Sequence, residues 1–251
     1  MSTRPRLPES PSHFARPPSL WARLLYAVVR NIAVGLARLY FPGRVIGAEN
    51  IPATGAFLVA PVHRSYVDWL IVARVSRRRL RYIVKEEVWK SKVAGRLLDA
   101  LGAFPVNRSG ADREALERCC AVLQAGDPLV MFPEGTRRSG QKVEDLRDGV
   151  AYLSIRTGVP VVPVGVGGTE RAMPRGSRLP RPSRVCIVVG APVIPPATAA
   201  GGSPRSAREG AVAGSSRRSP RVARSATSAV SEQLRESLQE AFDKAEASLR
   251  P

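Results

Sequence analysis

Apolar residues in this chain fall in short continuous runs separated by polar stretches with helical spacing, and that rhythm predicts an α/β fold. Ala56 to Ala60 follows Gly55 as a buried-strand run, and the stretch from Asp68 to Val72 opens a helical pattern closed by Arg77, Arg78 and Arg79. Arg81 to Val84 reads as a second strand, followed by a helix through Val93 and Leu97. Gly102 to Val106 reads as a third, delivering Asn107 and Arg108 to its end. A helix from Asp112 to Gln124 closes at Gly126-Asp127-Pro128. Leu129 to Phe132 is the next apolar run, then a helix from Gly149 to Thr157 and strands at Val159 to Val164 and Arg184 to Val189. Strands alternating with helices place site residues at strand ends.

The flanks of this core, residues 42–196, read differently. Residues 1–19 are rich in Pro, Ser and Arg and are expected to be disordered; they lack the apolar stretch and cleavage site of a signal peptide, so export is not indicated. Residues 20–41 form a broad apolar helical surface with Arg23, Arg30, Arg38 and Asn31 within about 100° of one another on the wheel. An arginine at the centre of a spanning helix costs about 2.5–3.5 kcal/mol, so this segment is expected to lie in a membrane interface rather than cross the membrane, with packing on the domain as the alternative. Residues 197–230 turn to Ala, Gly, Ser, Pro and Arg and are expected to be a disordered linker, whose arginines suit either a passive spacer or a tether to anionic lipid. Residues 231–251 carry a helical apolar stripe through Leu234, Leu238, Ala241, Phe242, Ala245 and Leu249, which fits docking on the domain and on a membrane equally.

Charge narrows the partners. The 39 Lys and Arg against 21 Asp and Glu leave a net +18, which favours polyanions. Aromatics are only 6% and do not interleave with the basic residues as a base-stacking platform would, so anionic lipid is expected over nucleic acid. The three cysteines have no CxxC or Cys/His spacing, so neither a metal site nor a disulfide framework is expected. Cys119 and Cys120 share the apolar face of their helix and are read as core residues rather than nucleophiles.

Two stretches carry candidate chemistry. His63 precedes Asp68 by five residues, a rotation of about 140° on a straight helix, so the pair can meet only across a strand-to-helix turn. An imidazole so placed can take a proton near neutrality, while a carboxylate on its far nitrogen fixes the tautomer and stabilises the imidazolium. The second stretch is Pro133 to Arg137, where a strand runs into a turn offering Glu134, Gly135, Thr136 and Arg137; a Gly turn with a hydroxyl and a guanidinium can bind an anion.

The blocks HRSYVD, GAFPVNR, FPEGTR and VPVVPV, in that order, resemble the four motifs of the glycerolipid acyltransferases, closest to the 1-acylglycerol-3-phosphate acyltransferases, over residues 42–195. The resemblance implies an α/β domain with a central mixed, largely parallel sheet flanked by helices. It implies that His63 deprotonates the free hydroxyl of a lysophospholipid while Asp68 orients it, and that the acyl group passes directly from acyl-CoA or acyl-ACP. It implies that Arg108, Glu134, Gly135, Thr136 and Arg137 hold the acceptor's glycerol phosphate, that Lys85 adds positive charge there, and that the fourth block lines the acyl or donor channel. No metal or prosthetic group is implied.

Two departures bear on the acceptor. Val62 stands where many relatives carry Asn, and Arg138 follows the third block where Ser is common; the added charge suits a bulkier or more anionic head group. A different lysophospholipid, glycerol 3-phosphate or a glycolipid is thus an alternative acceptor, and a non-catalytic basic lipid-binding module an alternative function. The expected location is the cytoplasmic face of the cell membrane, peripheral or monotopic.

Overall fold

The structure is a computed structural model that describes residues 20–85, 98, 102–106, 112–196 and 224–250. The segments expected to be disordered at 1–19 and 197–223, the helix expected through Val93 and Leu97, and Arg108 lie outside the described residues.

Among the described residues the first elements are helix α1 (Leu20–Tyr40) and strand β1 (Gly43–Ile46), then β2 (Leu58–Pro61), α2 (Asp68–Val72), β3 (Arg81–Lys85) and β4 (Ala103–Val106). Helix α3 (Asp112–Gln124), β5 (Leu129–Val130), α4 (Gly149–Thr157), β6 (Val161–Gly167), α5 (Thr169–Ala172), β7 (Val185–Val189) and α6 (Arg224–Ala247) follow. The strands form one sheet in the order β1-β7-β6-β2-β5-β3-β4. All pairs are parallel except β6 with β7, so β7 and β1 run against the other five. This is the mixed, largely parallel sheet that the resemblance implies.

Helices cover both faces, which explains why the strands read as unbroken apolar runs rather than alternating ones. Val59, Val162, Val164 and Ile187 meet Phe41, Ile71 and Val72 on the face of α1 and α2. Their neighbours Leu58, Ala60 and Val161 turn the other way, onto Cys120, Val150, Leu153 and Leu234 from α3, α4 and α6. The cysteine pair is therefore core, and all three cysteines are free and buried.

The short β1 escapes the apolar pattern, because an outermost strand buries little and Arg44 interrupts its four residues. β5 stops at Val130, although Met131 N–H still bonds Val59 O, because the chain then turns at Pro133. The linker expected to reach residue 230 ends earlier: α6 begins at Arg224, with Thr227 and Val230 buried against the domain. The same helix resolves its own alternative, since Leu234, Leu238 and Phe242 enter the core. Gly165 and Gly167 share the face of β6 under α6, and a Cβ on Gly165 would overlap the backbone of Ala241.

Helix α1 differs from its expected disposition in one respect. Tyr26, Val34 and Ala37 are buried on the domain, and Arg30 sits on the same side, donating to the carbonyls of Ala73 and Ser76 just past α2. The arginine stripe is thus partly a docking device that satisfies carbonyls at a helix end. Leu24, Leu25, Val28, Ile32, Leu36 and Leu39 face away and are exposed. Among the described residues no helix is long and apolar enough to cross a membrane.

Gly165→Val should force α6 off β6 and lower stability by about 1–3 kcal/mol or more, read as a fall in thermal midpoint. A midpoint equal to the parent's would show that α6 does not pack there.

Candidate active site

β2, β5 and β3 end side by side, and the loops leaving them build the site. Past Pro61, Val62 N–H still pairs with Val164 O, so His63 emerges where the sheet ends. The chain then folds around the carboxylate of Asp68, the first residue of α2. Its Oδ2 accepts Arg64 N–H and Ser65 N–H, both at 2.7 Å, and lies 2.9 Å from His63 Nδ1. An ionised carboxylate only accepts, so in a neutral imidazole this contact places the proton on Nδ1 and the lone pair on Nε2. Asp68 is fully buried, whereas the His63 side chain is 22% exposed and its ring stacks on Phe132 with centroids 4.1 Å apart. The sequence pair is thus brought together by a turn wound on one of its own members.

A second buried carboxylate fixes the backbone at His63. Glu134 Oε2 accepts His63 N–H at 2.8 Å, and both its oxygens accept Arg64 Nη1, at 2.7 and 2.8 Å. The remaining Arg64 donors reach Gly140 O and Lys142 O, each at 3.0 Å, and Phe242 of α6 lies over the guanidinium. From the other side, Arg138 N–H bonds His63 O at 2.8 Å. Gln239 of α6 holds the same loop, accepting Val143 N–H and donating to Gln141 O. Glu134 was expected at the acceptor's phosphate. It is instead buried with its oxygens committed to Arg64 and His63, and it does not line the cavity.

That cavity, of about 640 Å³, opens beside His63. Loop residues His63, Tyr66, Thr136, Arg137 and Arg147 supply its polar lining, while Ile83 of β3 and Leu116 and Cys119 of α3, with Val130 and Phe132, supply an apolar one. Arg137 lies over the Tyr66 ring, Cζ 3.3 Å from the centroid, and its buried Nη1 has no hydrogen-bond partner among the described residues. A cation held by a ring face keeps its N–H donors for an anion. Gly135 adopts φ +67°, and a Cβ there would overlap the Arg147 side chain, so the turn requires glycine.

Of the expected site residues, His63, Asp68, Gly135, Thr136 and Arg137 come together here. Lys85 ends β3 on the same side of the sheet, its side chain outside the described atoms, and Arg108 is outside the description altogether. Arg138 forms an ion pair with Glu144 at 2.8 Å and does not line the cavity. Sequence reading missed Arg64, Tyr66, Phe132 and Arg147. Arg64 and Tyr66 lie inside HRSYVD, but their partners are about 70 residues away in the chain. Among the described residues no group of three or more His, Cys, Asp or Glu could hold a metal ion.

Removing one partner from a buried ion pair strands the other charge. Glu134→Ala should therefore cost about 3–5 kcal/mol of stability, and pairing it with Arg64→Met should recover much of that loss. Chemical denaturation of the two variants beside the parent checks this; equal loss in both would mean that the pair is not what matters at this position.

Comparison with known proteins bears on this arrangement. The Acyltransferase family profile matches residues 43–167, from β1 through β6. The chain is 28% identical over 141 residues to the chloroplastic 1-acyl-sn-glycerol-3-phosphate acyltransferase BAT2 of Brassica napus, covering 55% of this chain and 41% of that one. It is 27% identical over 153 residues to the 1-acyl-sn-glycerol-3-phosphate acyltransferase of Bacillus subtilis, covering 60% and 73%. It spans about two fifths of the length of the plant relatives it matches. In fold it resembles the 1-acyl-sn-glycerophosphate acyltransferase PlsC of Thermotoga maritima, with a TM-score of 0.63, 24% identity, and coverage of 87% of this chain and 80% of that one. The site around His63 lies within the profile-matched segment, and the chain belongs to the acyltransferase family.

Proposed function

We propose that the protein transfers a fatty acyl group from acyl-CoA or acyl-ACP to the free hydroxyl of 1-acylglycerol-3-phosphate, giving phosphatidic acid. The observation that carries this reading is the His63 imidazole, its Nδ1 2.9 Å from the buried Asp68 carboxylate, placed beside a cavity that also contains an Arg137 donor with no partner among the described residues. Nε2 takes the hydroxyl proton as the oxygen attacks the thioester carbonyl; the new C–O bond replaces C–S, and the departing thiolate takes the proton back from the imidazolium. Asp68 stabilises that imidazolium without itself being protonated. Arg137 and Thr136 hold the acceptor phosphate, and the apolar lining from β3 and α3 takes acyl chain.

Direct transfer fits the cysteine chemistry. Cys119 lines the cavity, but burial pushes its thiol up to about 12, which leaves it protonated and a poor nucleophile near neutrality. The reaction therefore rests on positioning two substrates and a base.

We further propose that the protein works at a membrane surface through α1. Its outward face carries large apolar side chains, Leu39 being 82% exposed, with Trp21 and Tyr40 at its ends. Amphipathic helices with aromatic ends of this kind lie in the interfacial zone.

His63→Ala should lower acceptor-dependent thiol release from a long-chain acyl-CoA by about 10²–10⁴-fold. Release with unchanged rate, or release indifferent to lysophosphatidic acid, would reject the reaction. Leu25→Asp with Ile32→Asp, both on the exposed side of α1, should move the protein from the membrane to the soluble fraction while its thermal midpoint holds. Deleting α1 would be a poorer test, because Arg30, Val34 and Ala37 pack on the domain. An unchanged distribution would reject α1 as the anchor.

A further inference from the structure

The connection between α5 and β7 leaves the sheet at the end where the site lies. Ser65, two residues from His63, donates its hydroxyl to Met173 O at 3.0 Å, so this loop begins one hydrogen bond from the catalytic turn. Residues 173–184 carry four arginines, Arg175, Arg178, Arg181 and Arg184, and no Asp or Glu. All four are exposed, and none is paired with a carboxylate among the described residues. Between them Leu179 projects with 76% of its surface exposed.

The loop is built to hold that shape. Ser177 N–H bonds Pro174 O at 3.0 Å and the Ser177 hydroxyl donates to Leu179 O at 2.8 Å, while Arg181 N–H reaches back to Ala172 O at 2.7 Å. Tyr40 at the end of α1 donates its hydroxyl to Pro180 O at 2.9 Å, tying the loop to the helix whose apolar face is uncovered. An apolar side chain held among unpaired guanidiniums is a poor solvent-facing arrangement. It matches a surface that is anionic at its face and apolar just beneath.

We propose that residues 173–184 form a second membrane contact, specific for anionic phospholipid: the four arginines bind headgroup phosphates and Leu179 enters the acyl boundary. The bond from Tyr40 favours a bilayer over an acidic carrier protein, because it makes the loop continuous with α1. This rests on the reading of the protein as one that works at a membrane. Its consequence is that docking sets the catalytic turn, through Ser65 and Met173, at the level where a lysolipid headgroup lies.

The test uses the full chain, with the arginines of residues 197–224 left intact in every variant. Partition onto vesicles of phosphatidylcholine, with and without phosphatidylglycerol, is measured for the parent, for Arg175→Ser/Arg178→Ser/Arg181→Ser/Arg184→Ser, and for Leu179→Asp. The fourfold variant should bind phosphatidylglycerol vesicles on the order of 10³-fold more weakly, keep its affinity for phosphatidylcholine, and turn over detergent-dispersed substrate at the parental rate. Leu179→Asp should bind both vesicles more weakly. Parental binding of anionic vesicles by the fourfold variant would overturn the proposal. So would a loss confined to turnover with an acyl carrier protein donor, which would make the loop a carrier dock. A failure of the acyltransferase reading itself would show separately, as absent thiol release from the parent in detergent.

Discussion

One oxygen of a buried carboxylate organises the site. Asp68 Oδ2 accepts two backbone N–H groups and the His63 ring, so the position of the imidazole and the path of the chain from residue 63 to 68 are set by the same atom. Such an arrangement is costly to leave half-formed, because a carboxylate without donors in an apolar setting loses its hydration for nothing. The turn and the histidine orientation therefore form together. The Arg64–Glu134 pair then joins this turn to the one after β5, so the two loops that bound the cavity are tied to each other.

Much of the fold was legible in the chain. A sheet covered on both faces has apolar strands throughout, and the runs from Ala56, Leu129, Val159 and Arg184 stood out for that reason. Elements whose partners are remote were not legible. β1 is a strand only because β7 lies beside it, and α6 starts at Arg224 only because Thr227 and Val230 find buried positions on the domain. Composition alone placed those first residues with the Arg- and Ser-rich stretch.

In the site, residue type was informative and direction was not. His63 and Asp68 declared themselves by spacing, since only a turn could bring them together. Glu134 sits in the same short block as Thr136 and Arg137, yet its carboxylate points into the protein while their side chains line the cavity. A turn containing a positive-φ glycine sends successive side chains in different directions, which spacing does not reveal. Tyr66 was overlooked for a related reason: its value lies in a ring face offered to Arg137, a contact made only in three dimensions.

Gly165 and Gly167 have a consequence for what counts as one domain. By letting the backbone of α6 rest on β6, they bring Phe242 over Arg64 and Gln239 to the loop that Arg64 binds. The stretch matched by the family profile ends at residue 167, well before that helix. A fragment cut after β7 would keep every residue of the four blocks and still expose an ion pair, with Cys186 and Val188 of β7, to water. The segment that defines the family is therefore smaller than the segment that folds, and α6 is a structural subunit of the site that happens to be covalently attached.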